Sequence, residues 1–166
     1  MSSDFNKDAL FRSAKRINVS YFKEQQEDAI NAIWQWWQSQ SISFTLSGYA
    51  GTHNTFIMRH LVRYLIVEKV CVTAPTHKAL RVLENSSGKK GMTIQSLCGL
   101  RPDVDIEDYN IENPSFKVIG EQKMRGYRLV IIDECSMINP GLFNLLIKTA
   151  IQCRCKLLFL GDELQI

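Results

Sequence analysis

Three short stretches carry residue types that could handle a nucleoside triphosphate. Gly48-Tyr49-Ala50-Gly51-Thr52-His53-Asn54-Thr55 lies between a strand-like run, Ile42 to Leu46, and a helical stretch from about Thr55 to Val67. This is the place of a phosphate-binding loop, whose pattern is G-x-x-x-x-G-K-[ST]. Gly48 and Thr55 match it, whereas His53 stands at the second glycine and Asn54 at the lysine. Asp133-Glu134 end the apolar run Leu129 to Ile132. A strand-end aspartate can hold the water shell of a Mg²⁺ ion, and a neighbouring glutamate can orient or deprotonate an attacking water. Thr55 would be the hydroxyl partner of the same metal. Gly161-Asp162-Glu163-Leu164-Gln165 follow another apolar run, and Gln165 could sense a γ-phosphate. Half a phosphate loop is weak on its own; its context strengthens it.

The elements that must position these residues alternate regularly. Residues 23–39 read as a helix with Ala29, Ile30, Ile33, Trp34 and Trp37 on one face. Its three tryptophans, Trp34, Trp36 and Trp37, read as packing and flanking surface before they read as a base-stacking platform. Residues 4–16 suit a short helix, Val70 to Ala74 a strand stopped by Pro75, and His77 to Asn85 a helix followed by a turn over 85–91. Asn139-Pro140 supply the N-cap and first position of a further helix, and Lys156 to Leu160 form a fourth strand. Wholly apolar strands alternating with amphipathic helices predict a parallel sheet covered on both faces. In such a sheet ligands bind at the carboxyl ends of the strands, where the polar residues collect.

Composition sets the frame. The chain has 166 residues, 45% of them hydrophobic, with 20 Lys+Arg against 17 Asp+Glu, so a disordered tail is excluded and one globular domain is expected. A net charge of +3 is too small to argue for nucleic acid by itself. The five cysteines are odd in number and fit no zinc spacing, which points to a reducing, cytoplasmic compartment. No apolar run reaches the length of a membrane span, so no membrane partner is expected. His60 and Lys89-Lys90 read as packed or solvated residues.

In order and spacing these segments resemble the first RecA-like domain of superfamily-one 5′-to-3′ DNA helicases, in the RecD-like and Dda-like branch. The resemblance runs from Phe22 to Ile166, leaving 1–21 as an N-terminal extension. Phe22-Lys23-Glu24-Gln25-Gln26 resembles the Q motif, with Gln26 reading adenine. Ala74-Pro75-Thr76-His77-Lys78-Ala79-Leu80 is similar to motif Ia and Thr93-Ile94-Gln95-Ser96-Leu97 to motif Ib. Asp133 to Met137 resembles motif II and Gly161 to Gln165 motif III.

The resemblance implies an α/β, RecA-like P-loop NTPase fold in three layers, with a mainly parallel sheet incomplete at its C-terminus. It implies ATP and Mg²⁺ as cofactors. Glu134 would be the base and Gln165 the γ-phosphate sensor. Gly48, Gly51, Thr52, His53, Asn54 and Thr55 would meet the phosphates, and Thr55 and Asp133 the metal. Single-stranded DNA is the implied partner of Pro75, Thr76, His77, Lys78, Thr93 and Ser96. Read from the residues alone, Thr76, Thr93 and Ser96 suit helix caps at least as well. Residues 103–126 occupy the place of a small inserted subdomain, as a hairpin or a long loop, with Tyr109 or Phe116 as its exposed aromatic tip. Phage origin, and with it the host cytoplasm, would follow from the Dda-like branch.

Two departures shape the functional expectation. A side chain at His53 costs ~1–2 kcal/mol if the position needs left-handed dihedrals. Asn54 donates a hydrogen bond without supplying charge, and losing even one preorganised donor at a developing charge lowers rate by ~10²–10³. Weak nucleotide affinity and little hydrolysis are therefore expected. The chain also ends just past Gln165, so the second RecA-like lobe would have to come from a partner chain. The alternative is an inactive module, derived from a helicase, that binds single-stranded DNA or a protein.

Overall fold

The computed structural model describes residues 23–47 and 69–161. Four strands form one sheet: β1 (Ser43–Ser47), β2 (Val70–Thr73), β3 (Leu129–Ile132) and β4 (Lys156–Gly161). Their order is β1-β4-β3-β2 and every pairing is parallel. The fold is the expected RecA-like α/β arrangement, with helices on both faces of a parallel sheet.

Alternation along the strands explains their apolar sequences. Cys71, Val130, Ile132, Leu157 and Phe159 face one core, while Val70, Val72, Leu129, Ile131, Leu158 and Leu160 face the other. Both sets are buried, with Thr73 at the end of β2 the polar exception among the described strand residues; each large aliphatic side chain contributes ~1.5–3 kcal/mol. The first core is closed by α3 (Ile94–Cys98) and α4 (Pro140–Cys153), through Ile94, Leu97, Leu142 and Leu146. The second is closed by α1 (Lys23–Gln38) and by Leu83 of α2 (His77–Ser87). Asn139 caps α4 as its sequence predicts, its Oδ1 accepting from the Leu142 N–H at 2.8 Å, with Pro140 at the first helical position. All five cysteines are free and buried. Burial pushes the Cys98 and Cys155 thiols up to about 12 and Cys71 to about 11, so they act as small apolar residues. Among the described residues no helix is long and apolar enough to cross a membrane.

Two expectations are corrected. The inner face of α1 is Ile30, Ile33 and Trp36, with Trp34 and Trp37 half-buried on its flanks. Trp36 turns inward because its ring stacks on Phe44 of β1, centroids 5.8 Å apart. Residues 103–126 contain no strand; they form three 3₁₀ turns, Ile106–Asp108, Pro114–Phe116 and Lys123–Gly126. Of the two forms expected, the long loop is the one found. Tyr109 and Phe116 are not a tip: both are buried, edge to face at 5.2 Å, against the first core. The exposed apolar residues of this segment are Ile111, Val118 and Ile119. Asn139 ties the segment down, its Nδ2 donating to the carbonyls of Glu107 and Tyr109 at 3.2 and 3.1 Å. The helices expected over 4–16 and 55–67, and His60, lie outside the described residues.

Candidate nucleotide and DNA edge of the sheet

β1 and β4 end level with each other, two residues beyond the ends of β2 and β3, and that edge gathers the described candidates. In the ladder between β1 and β4, Ser47 pairs with Gly161, and Ser47 immediately precedes the phosphate-loop sequence. The β3–β4 ladder ends at Ile132 paired with Phe159, so Asp133 and Glu134 emerge beside the end of β4. The Asp133 N–H donates to the Thr73 carbonyl at 3.0 Å, anchoring this carboxylate to the end of β2. Asp133 Oδ1 accepts from the Glu134 N–H at 2.9 Å.

Glu134 has φ 53° and ψ 43°, left-handed backbone that is unfavourable for a side-chain-bearing residue. It opens a 3₁₀ turn, Cys135–Met137, and its carbonyl accepts from the Met137 N–H at 3.1 Å. Partial burial, followed by the charge of Asp133, raises the Glu134 carboxyl above the usual glutamate range. A raised carboxyl is what a proton-accepting group near neutral pH requires. Two adjacent carboxylates are also a hard-oxygen donor set, and their mutual repulsion is relieved by a divalent cation. The donor chemistry therefore fits Mg²⁺, held with one or two carboxylates and the oxygens of a bound phosphate.

Gly161 explains how Glu134 can sit so close to β4. Its φ is +136°, and a Cβ added there would lie 3.0 Å from the Cys135 backbone nitrogen and 3.4 Å from the Glu134 Cα. The glycine thus admits the Glu134 turn against the strand end. The sequence showed Gly161 only as the first letter of a motif, because the contact spans strands distant in the chain.

The second group of candidates shares this edge. Thr76 caps α2, its Oγ1 accepting from the Ala79 N–H at 3.2 Å, and Thr93 caps α3 in the same way from the Ser96 N–H at 3.2 Å. The capping role is therefore met at both threonines, and each hydroxyl proton remains a donor. Pro75, Thr93 and Ser96 are half-buried, and His77 and Lys78 are exposed. Gly91 ties the segment before Thr93 to β2. It bridges in parallel to Val72 of β2, and a Cβ on it would fall 2.3 Å from the Val72 carbonyl oxygen. Its N–H donates to Glu84 Oε1 at 2.7 Å, and the next N–H, of Met92, donates to Val72 O at 3.2 Å. Sequence reasoning saw only a turn here; a glycine two residues before Thr93 was the available signal. Gly48, Gly51, Thr52, His53, Asn54, Thr55 and Gln165 lie outside the described residues, as does the side chain of Gln26 within α1.

A family profile described as an AAA domain matches residues 21–166. Among curated proteins, the ATP-dependent DNA helicase dda of Enterobacteria phage T4 is 32% identical over 146 residues, 86% of this chain and 32% of that protein. The uncharacterized protein R530 of Acanthamoeba polyphaga mimivirus is 33% identical over 140 residues, covering 74% and 28%. The chain spans about a third of the length of these relatives. Among solved structures, Pif1 from Bacteroides sp. in complex with ADP-AlF4 superposes with a TM-score of 0.56 at 22% identity, over 86% of this chain and 33% of that one. Pif1 helicase from Candida albicans gives 0.53 at 26% identity, over 84% and 32%. The chain belongs to this AAA-domain family, as a homologue of the first RecA-like, ATP-binding lobe of superfamily-one 5′-to-3′ helicases.

Proposed function

We propose that this chain is the nucleotide-binding lobe of an ATP-dependent DNA helicase whose phosphate loop has lost its cation, so that it binds ATP weakly and hydrolyses little of it. The observation that carries the reading is the level row Ser47, Gly161 and Glu134 at the sheet edge, with Asp133 anchored beside it. A phosphate loop following Ser47 would face a strand-end carboxylate pair across β4. In this reading Gln26 contacts adenine, and Gly48, Gly51, Thr52, His53, Asn54 and Thr55 surround the phosphates. Thr55 and Asp133 hold Mg²⁺, which when bound supplies charge neutralisation at the phosphates. Glu134 accepts the proton of the attacking water, and Gln165 senses the γ-phosphate.

DNA enters through the T4 relative, which is named for acting on it. Pro75, Thr76, His77, Lys78, Thr93 and Ser96 would meet the sugar-phosphate backbone of a single strand. A second RecA-like lobe would complete the cleft around ATP.

The test is nucleotide binding to the unaltered chain and to the His53→Gly, Asn54→Lys double variant, read by calorimetry with a non-hydrolysable ATP analogue and Mg²⁺. A charge-assisted hydrogen bond contributes ~1.5–3 kcal/mol, so the double variant binds about tenfold to a hundredfold more tightly. Tight binding and fast hydrolysis by the unaltered chain would overturn the weakened-loop reading.

A second reading is favoured by one contrast: the ATP side has lost a cation while the DNA side keeps Lys78 exposed beside the Thr76 cap. The chain would then bind single-stranded DNA without turnover. Lys78→Ala weakens such binding and flattens its salt dependence; absence of binding at low salt removes this reading.

A further inference from the structure

The opposite edge of the sheet holds a cavity of about 650 Å³, where the C-terminal ends of α1 and α4 converge on the first residue of β4. Its size falls within the ~300–1,000 Å³ of ordinary ligand pockets. Arg128, Arg154 and Lys156 line it, and among the described residues no acidic side chain does. Trp34, Ile42 and Ile151 supply its apolar surface, and Ile151 is 59% exposed.

The three cations differ in what they already do. Lys156 Nζ donates to the carbonyls of Trp36, Ser39 and Ser41 at 2.9, 2.8 and 3.0 Å, so it is engaged in closing α1. The Arg128 guanidinium lies 6.0 Å from the centroid of the Trp37 ring, and Lys156 Nζ lies 5.9 Å from it. Arg154 is exposed and sits at φ 55°, ψ 44°, as the C-cap of α4. That backbone favours glycine or asparagine. An arginine there costs stability that glycine would not.

We propose that this cavity is a docking site for a partner protein, taken as a short acidic peptide segment with one large apolar or aromatic anchor. The anchor enters between Trp34, Ile42 and Ile151, and its flanking carboxylates meet the guanidinium forks of Arg154 and Arg128. Planar forks match carboxylates bidentately. Peptide is favoured over single-stranded nucleic acid because both cations near Trp37 crowd the ring a base would stack on. Trp34 is half-buried against the second core, and the remaining apolar surface, Ile42 and Ile151, is aliphatic and suits a side chain. The site lies across the sheet from Asp133 and Glu134, so it stands whether or not the nucleotide reading does.

The experiment uses the full chain and a fluorescein-labelled hexapeptide with one phenylalanine among aspartates and glutamates, read by anisotropy. Binding is expected, weakening about tenfold for Arg154→Glu and for Ile151→Gln, as an exposed bidentate partner or an anchor contact is lost. Raising salt from ~0.05 to ~0.5 M weakens it as well. Arg154→Gly keeps the fold, because it relaxes the left-handed cap, and it melts no lower than the unaltered chain while losing the peptide. Lys78→Ala leaves binding unchanged. Equal binding of a peptide with serine in place of phenylalanine would reduce the site to bulk charge and overturn the proposal. So would no binding at all, or a single-stranded oligonucleotide whose binding Arg154→Glu abolishes.

Discussion

The two edges of the sheet are built to opposite ends. At the carboxyl edge, Asp133 and Glu134 bring like charges together, and Glu134 holds left-handed backbone against Gly161. At the amino edge, Lys156 donates to three carbonyls where α1 ends, and Arg128 lies over Trp37. The first arrangement opposes folding, since burial and repulsion both disfavour ionised Glu134. The second supports it through hydrogen bonds to carbonyls at a helix C-terminus and a favourable sign against the dipole, a gain reduced because burial pushes the Lys156 ammonium below the ordinary lysine range. Strain and repulsion at one edge are tolerated because the other edge and the two cores hold the sheet. If this division is real, substitutions at the carboxyl edge change turnover more than stability, and those at the amino edge do the reverse.

The largest effect should come from the carboxyl edge. In the His53→Gly, Asn54→Lys background, Glu134→Gln lowers DNA-stimulated ATP hydrolysis about 10²-fold or more, the usual contribution of a general base. Nucleotide affinity should stay within about threefold, since glutamine keeps the shape and the proposed phosphate contacts lie elsewhere. A parallel loss of affinity would mean that Glu134 holds the turn together instead of acting on water. Gly161→Ala comes next. Its Cβ would press on the Cys135 nitrogen at 3.0 Å, with φ at +136°. Stability should fall by ~1–3 kcal/mol, seen as a lower denaturant midpoint, and hydrolysis should fall with it. This residue crosses the division between the edges, because it is structural support for the turn that carries Glu134.

Lys156→Met tests the amino edge. The Ser39 and Ser41 carbonyls lose a donor where water can replace it, while the Trp36 carbonyl keeps the Ser39 N–H and hydroxyl but loses the charged donor. The expected cost is about 1–2 kcal/mol, measured by thermal or chemical unfolding, with nucleotide binding unchanged. A change in nucleotide affinity would show that the two edges communicate through β4.

Much of this layout was legible in the sequence, for reasons that also explain what was not. Wholly apolar strands and the Asn139-Pro140 pair are local signals, and each produced the element it predicted. Asp133-Glu134 was readable because acids abruptly end an apolar run. The inner face of α1 was misread because adjacent tryptophans at 34, 36 and 37 fit more than one helical face; the stacking of Trp36 on Phe44 settles the choice and is long-range. Residues 103–126 look polar, yet four well-spaced residues, Ile106, Tyr109, Phe116 and Met124, are buried. Their spacing follows neither a helical nor a strand period, so no periodic reading finds them. Gly161, Gly91 and Lys156 act on partners far along the chain, which a sequence pattern does not encode.

The smallest effect is the most specific to the carboxyl edge. Burial and Asp133 raise the Glu134 carboxyl in the folded chain. In the unfolded chain it returns to the ordinary glutamate range of ~4.3. Between these two values the folded state binds more protons, so ionisation of Glu134 lowers stability as pH rises through the window. Above the folded value the penalty is complete; below the unfolded value both states are protonated and it vanishes. Glu134→Gln, which cannot ionise, should therefore be slightly more stable than the unaltered chain at neutral pH and equally stable at acid pH. Paired unfolding curves across this range measure the difference. The opposite sign, a glutamine variant less stable than the unaltered chain at neutral pH, would mean that a cation already compensates the pair, and that the carboxyl edge is not the strained one.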